Sequence, residues 1–132
     1  MFNLKPIALV GGTVVCAVGF LLFIPLVVEV IYKTDSWQSY AVPILLYIIV
    51  GGSLVITNRN IELRISTKEA FFITALSWLL FSVLCSVPFI YTQSNLSIFD
   101  ALFESMSGIT TTGATVINGL DNLPKGILIW RA

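Results

Sequence analysis

The sequence predicts an all-α membrane protein with three transmembrane helices, a re-entrant half-length helix followed by an extended loop, and the start of a fourth span. Three observations predict it. The 132 residues are 57% hydrophobic and only 11% charged, where soluble domains carry roughly a quarter charged residues. The charges are grouped so that residues 6–28, 36–58 and 70–99 contain none. Beyond the last of these runs comes a short helical pattern with its own cap, and then an uncharged threonine–glycine stretch.

The same composition excludes several classes of function. Seven basic residues balance seven acidic ones, which leaves no broad electrostatic footprint for nucleic acid. Histidine is absent, removing the commonest general base and metal ligand. Cys16 and Cys85 each sit inside an apolar run. They read as small apolar fillers rather than a disulfide or zinc framework. A membrane-embedded enzyme is the least favoured class, because no acidic pair and no Ser/Lys arrangement lies within a span. No catalytic residue and no covalently bound cofactor is expected.

The elements follow in order. Some 20 apolar residues cross the roughly 30 Å hydrocarbon core as a helix, so the three charge-free runs predict spans near residues 7–31, 39–57 and 68–91. The first is read as a retained helix. Its apolar run is longer than the roughly 7–15 residues of a signal peptide, and no small-x-small site follows Val28. Ser66-Thr67-Lys68-Glu69 forms a capping box that starts the third helix. Tyr32, Trp37, Tyr40 and Tyr91 fall where aromatic rings line a membrane interface, whereas Trp78 lies within a span and reads as packing. Pro25, Pro43 and Pro88 lie near the ends of runs, where a lost N–H is cheapest. Ala8, Gly12 and Cys16 recur every four residues in the first span and Gly51-Gly52-Ser53 falls in the second, small residues that read as close helix packing rather than a lipid or substrate contact.

Basic residues set the orientation. Residues 58–69 hold Arg59, Arg64 and Lys68, while residues 29–35 hold only Lys33. The positive-inside rule then makes the 58–69 loop cytoplasmic, with the N-terminus inside and the 29–38 connection and Tyr91 outside.

The informative stretch is 95–123. Ser97 caps a helix with Asp100 three residues on, Ile98, Phe99, Leu102, Phe103 and Met106 keep helical spacing, and Gly108 is a natural stop. Ten residues reach only about 15 Å, so this helix enters a bilayer and stops. Thr110, Thr111, Thr112, Gly113 and Thr115 follow, free of charge. β-Branched threonines favour extended backbone, and glycine permits the positive φ that turns a carbonyl toward an axis. Non-helical backbone at membrane depth is tolerated only inside protein or along a watery path. Together these describe a pore loop, in which carbonyls replace an ion's hydration shell. Taken alone, Thr-Thr-Thr-Gly would equally suit an extracellular loop; the ordered set of elements around it favours the pore reading. Asp100 and Glu104 are read mainly as a source of negative potential near an entrance. Asn95-Leu96-Ser97 matches a glycosylation acceptor, a pattern common by chance.

Residues 103–115, Phe-Glu-Ser-Met-Ser-Gly-Ile-Thr-Thr-Thr-Gly-Ala-Thr, and 120–131, Leu-Asp-Asn-Leu-Pro-Lys-Gly-Ile-Leu-Ile-Trp-Arg, resemble the first pore loop and following helix of the Trk/Ktr/HKT potassium uptake superfamily. The similarity is greatest to the bacterial TrkH-type membrane subunit. That resemblance implies two extra N-terminal helices in residues 1–66, and in 67–132 an incomplete first unit of four helix–pore loop–helix units. It implies that Thr110, Thr111, Thr112 and Gly113 line one of four walls of a potassium filter through backbone carbonyls. Gly113, where some sodium-selective relatives carry serine, fits a potassium filter.

The resemblance further implies potassium as the transported ion, uptake across the bacterial inner membrane, coupling to protons or sodium, and a cytosolic nucleotide-binding regulatory subunit. It also implies a homodimer of the full-length parent. Because the resemblance ends within the first unit, the chain is expected to be a piece of a longer protein. The alternative is a small non-transporting membrane protein acting as an assembly or regulatory partner.

Overall fold

A computed structural model describes residues 4–60, 65–92, 96–119 and 122–132. All regular structure among them is helical: α1 Leu4–Leu21, α2 Phe23–Ile31, a 3-10 turn Asp35–Trp37, α3 Gln38–Asn58, α4 Thr67–Thr92, α5 Ile98–Ile109 and α6 Lys125–Arg131. Three stretches are long and apolar enough to cross a membrane: Lys5–Ile31, Asp35–Asn58 and Thr67–Thr92. These are the three spans expected from the charge-free runs.

The first span is two helices rather than one. It breaks at Leu22, where Pro25 has no N–H to offer the carbonyl four residues back. The axis nonetheless continues, because Leu22 N–H bonds Val18 O and Leu26 N–H bonds Leu22 O. α2 then ends in a Schellman turn: Thr34 N–H reaches Glu29 O, Lys33 N–H reaches Val30 O, and Lys33 takes the left-handed φ of 53°.

α1 and α3 pack closest, and glycines make this possible. A Cβ on Gly12 would lie 2.7 Å from the Leu54 Cβ, and one on Gly51 would lie 2.7 Å from Cys16 Sγ and 2.8 Å from Gly12 O. The expected stripe on α1 therefore meets the cluster on α3 at Gly51. Gly52 faces open space.

The core between the spans is built from Val15, Val18, Leu22, Tyr40, Ile44, Tyr47 and Cys85. Tyr40 thus leaves the expected interface belt. It is fully buried, whereas Tyr32, Trp37 and Tyr91 are exposed as expected. Trp78 moves the other way and is 51% exposed on α4, not packed. Tyr47 has a further role. Pro88 on α4 donates nothing to the carbonyl of Leu84, and the Tyr47 hydroxyl bonds that carbonyl at 2.9 Å. The lost helix bond becomes an interhelical one.

Many large apolar side chains point outward, including Phe20, Ile31, Ile49, Phe71 and Leu79. A soluble protein of this size seldom exposes so much contiguous apolar surface, and lipid is the solvent that suits it. The Ser66–Glu69 capping box starts α4: Glu69 N–H bonds Ser66 Oγ at 3.3 Å, and the Glu69 carboxylate takes the Ser66 N–H at 2.9 Å. In the preceding loop, Arg59 is described. Arg64 lies outside the described residues, as does Asn95 of the glycosylation pattern.

Candidate functional site

α5 begins with a reciprocal cap. Asp100 N–H bonds Ser97 Oγ at 3.1 Å, and the Asp100 carboxylate accepts from Ser97 N–H at 3.1 Å and from its hydroxyl at 2.7 Å. The helix runs 12 residues, about 18 Å, which is too short to span a bilayer.

Its faces are inverted relative to a soluble helix. Ala101, Glu104, Ser105 and Ser107 are buried, while Ile98 and Phe99 are 64% and 82% exposed. The small and polar face turns inward because it can approach α4 closely and bond there: Ser105 Oγ donates to Ser82 O at 2.6 Å. The spacing of apolar residues located the helix correctly but marked its outer face.

Gly108 does not stop the helix. It lies one residue before the last helical position, and the left-handed residue is Thr111, with φ 55°. The hydrogen bonds form a complete Schellman turn, with Thr112 N–H on Ser107 O and Thr111 N–H on Gly108 O, both at 3.0 Å. A β-branched residue in this conformation costs on the order of 1–3 kcal/mol. Part of the local compensation comes from side chains. Thr111 Oγ1 donates to Thr110 O at 2.7 Å, and the Thr110 and Thr112 hydroxyls are 2.8 Å apart.

The chain then runs without helix or strand through residue 117. Gly113 takes a φ of 72° with no neighbour within 4 Å of where a Cβ would lie, so backbone freedom rather than space calls for glycine there. The four expected site residues are therefore contiguous and exposed at the end of α5. Their carbonyls differ. Thr110 O accepts from Thr111 Oγ1 and Gly113 O accepts from Arg131 Nη2 at 3.4 Å. Among the described residues no donor reaches the carbonyls of Thr111 and Thr112.

Two buried carboxylates hold this loop and the helix after it, and neither role was read from the sequence. Glu104, 1% exposed, accepts from Thr115 Oγ1 at 2.6 Å, from Val116 N–H at 2.7 Å and from Arg131 Nε at 3.0 Å. Burial opposes its charge, but the bonds from Thr115, Val116 and Arg131 outweigh that and hold its carboxyl below the usual carboxylate range. It is a brace inside the protein rather than an open source of potential at an entrance.

Glu29, fully buried at the end of α2, accepts from Gly126 N–H at 2.6 Å and from the Thr34 hydroxyl. It meets the first turn of α6, where amides are unpaired and negative charge is favoured. One signal was available: a carboxylate inside a predicted span is expensive unless partnered. Ser107 Oγ adds a third tie by donating to Ala114 O at 2.7 Å. Trp130 Nε1 closes α6 onto α4 through Cys85 O at 3.0 Å. Residues 120–121 of the sequence motif lie outside the described residues.

Three helices long and apolar enough to span, with large apolar side chains turned outward, define an integral membrane protein. Residues 37–132 match the family described as TrkH, cation transport protein. The chain belongs to this family. It is 38% identical over 109 residues to the Trk system potassium uptake protein TrkG of Escherichia coli K12, covering 82% of this chain and 22% of that protein. It is 35% identical over 130 residues to TrkH of the same organism, covering 98% and 27%. The crystal structure of the potassium transporter TrkH from Vibrio parahaemolyticus superposes with a TM-score of 0.89 at 31% identity, covering 98% of this chain and 28% of that one. The chain thus spans about a quarter of the length of these relatives.

Proposed function

We propose that this chain takes part in potassium uptake across the bacterial inner membrane, contributing the first of four filter segments through the carbonyls of Thr110, Thr111, Thr112 and Gly113. The observation that carries the reading is the strained Schellman end of α5, which delivers the carbonyls of Thr111 and Thr112 without a donor among the described residues. Bare carbonyls that need not be stripped of a partner suit an ion that exchanges its hydration shell for them. Gly113 at φ 72° continues that path.

Membership of a cation transport family favours transport over the alternative of a non-transporting assembly partner. The proposed division is residues 1–66 as an N-terminal helix pair and 67–132 as part of the first helix–pore loop–helix unit. Arg59 and Lys68 beside the 61–66 stretch support a cytoplasmic loop there and a cytoplasmic N-terminus. The family reading adds coupling to protons or sodium, a cytosolic nucleotide-binding regulatory subunit and a homodimeric whole protein.

The test is expression of the complete reading frame in a bacterium lacking its own potassium uptake systems. Growth at low potassium, lost on Gly113→Ser or kept with weakened discrimination against sodium, is the expected result. Unchanged selectivity in Gly113→Ser removes the filter assignment.

A further inference from the structure

We infer that Arg131, paired with Glu104, is a positioning residue for the Gly113 carbonyl and thereby sets cation affinity and selectivity. The inference rests on the filter reading of residues 110–113.

The geometry is that of a bracket. Arg131 Nε is held by Glu104 Oε2 at 3.0 Å, and the same guanidinium presents Nη2 to Gly113 O at 3.4 Å. Glu104 is in turn fixed by the Thr115 hydroxyl and the Val116 amide. One carboxylate therefore joins the loop after Gly113 to the helix that carries Arg131. Gly113 itself has no side chain to anchor it, and nothing stands within 4 Å of its missing Cβ. Ser107 Oγ ties the next carbonyl, Ala114 O, at 2.7 Å, and Arg131 Nη2 is the donor on Gly113 O.

A planar guanidinium can meet two acceptors at once; a lysine ammonium is a single point of charge and cannot reproduce the fork. Pairing also matters electrically. An isolated cation beside a filter carbonyl would repel the permeating ion, but the Glu104 carboxylate at 3.0 Å offsets the charge of Arg131. A carbonyl oxygen has two lone pairs, so the N–H at 3.4 Å leaves one for an ion.

The experiment measures rubidium uptake by the complete protein in cells, with and without competing sodium, for the unmodified protein, Arg131→Lys, Glu104→Gln and Gly113→Ser, each normalised to membrane protein amount. In Arg131→Lys the rubidium KM rises about tenfold, the size expected for losing one hydrogen bond to a charged group. Discrimination against sodium falls with it, while the maximal rate changes less. Glu104→Gln keeps an acceptor for Val116 but loses the charge pairing, and shifts KM in the same direction by a smaller factor.

A lower maximal rate with KM and sodium competition intact in both variants makes the pair merely structural and overturns the inference. If Arg131→Lys does not accumulate in the membrane, Glu104→Gln decides alone. Gly113→Ser separates the two levels: a selectivity shift there with none in the other two variants overturns only the role of Arg131. No shift in Gly113→Ser overturns the filter reading beneath it.

Discussion

The carboxylate of Glu29 accepts a hydrogen bond from the amide of Gly126 at 2.6 Å across 97 residues of sequence. It ties the last turn of the first span to the first turn of the helix that follows the threonine–glycine loop. A Cβ at residue 126 would stand 2.5 Å from Glu29 Oε1 and 2.6 Å from its Cγ. Gly126→Ala therefore lowers stability by about 1–3 kcal/mol through overpacking, although alanine favours an isolated helix by up to about 1 kcal/mol. The melting temperature of the detergent-purified protein checks this, and an increase would contradict it.

Adjacent glycines on α3 should behave oppositely. Gly51→Ala drives a methyl into Cys16 and the Gly12 carbonyl and should cost about 1–3 kcal/mol. Gly52→Ala meets nothing and should be neutral or stabilising by up to about 1 kcal/mol. Thermal unfolding of the two variants side by side tests the helix contact, and equal behaviour would refute it.

The Tyr47 hydroxyl and Pro88 should be coupled through the Leu84 carbonyl. Tyr47→Phe alone costs about 1 kcal/mol by leaving that part-buried acceptor unpaired. Pro88→Ala restores an N–H four residues on, so Tyr47→Phe in that background costs less. A double-mutant cycle on unfolding free energies measures the difference, and strict additivity would rule out the exchange of bonds.

Glu104 predicts an acid limb. Its folded-state pKa is lowered, so its contribution to stability is complete above about pH 4.3, the ordinary glutamate value. It is lost as pH falls below that through the folded-state value. Glu104→Gln should lower the melting temperature at pH 7 and flatten its decline in acid. An acid limb of undiminished steepness in the variant would assign the effect to other carboxylates.

Much of the fold is legible in the chain because the bilayer imposes it. A charge inside hydrocarbon is expensive wherever the neighbours are, so the runs without charge delimit Lys5–Ile31, Asp35–Asn58 and Thr67–Thr92. The caps at Ser66 and Ser97 are also local, since a hydroxyl and a carboxylate three residues apart need no third element. The candidate site is legible only as a stretch. Its residue types announce uncharged, non-helical backbone, but helix α5 runs to Ile109 and takes its left-handed turn at Thr111 rather than stopping at Gly108, and its apolar residues face outward.

Sequence by itself determined the solvent, the number of spans, the half-length helix and the position of the threonine–glycine loop. These follow from composition and from interactions within a few residues. Tertiary structure alone decided the rest: that Tyr40 is core and Trp78 is not, that Gly51 touches α1 while Gly52 does not, and that Glu29, Glu104 and Arg131 hold the loop. Each of those depends on which side chains from distant segments meet, and a buried carboxylate is stable only when its donors arrive from elsewhere in the chain.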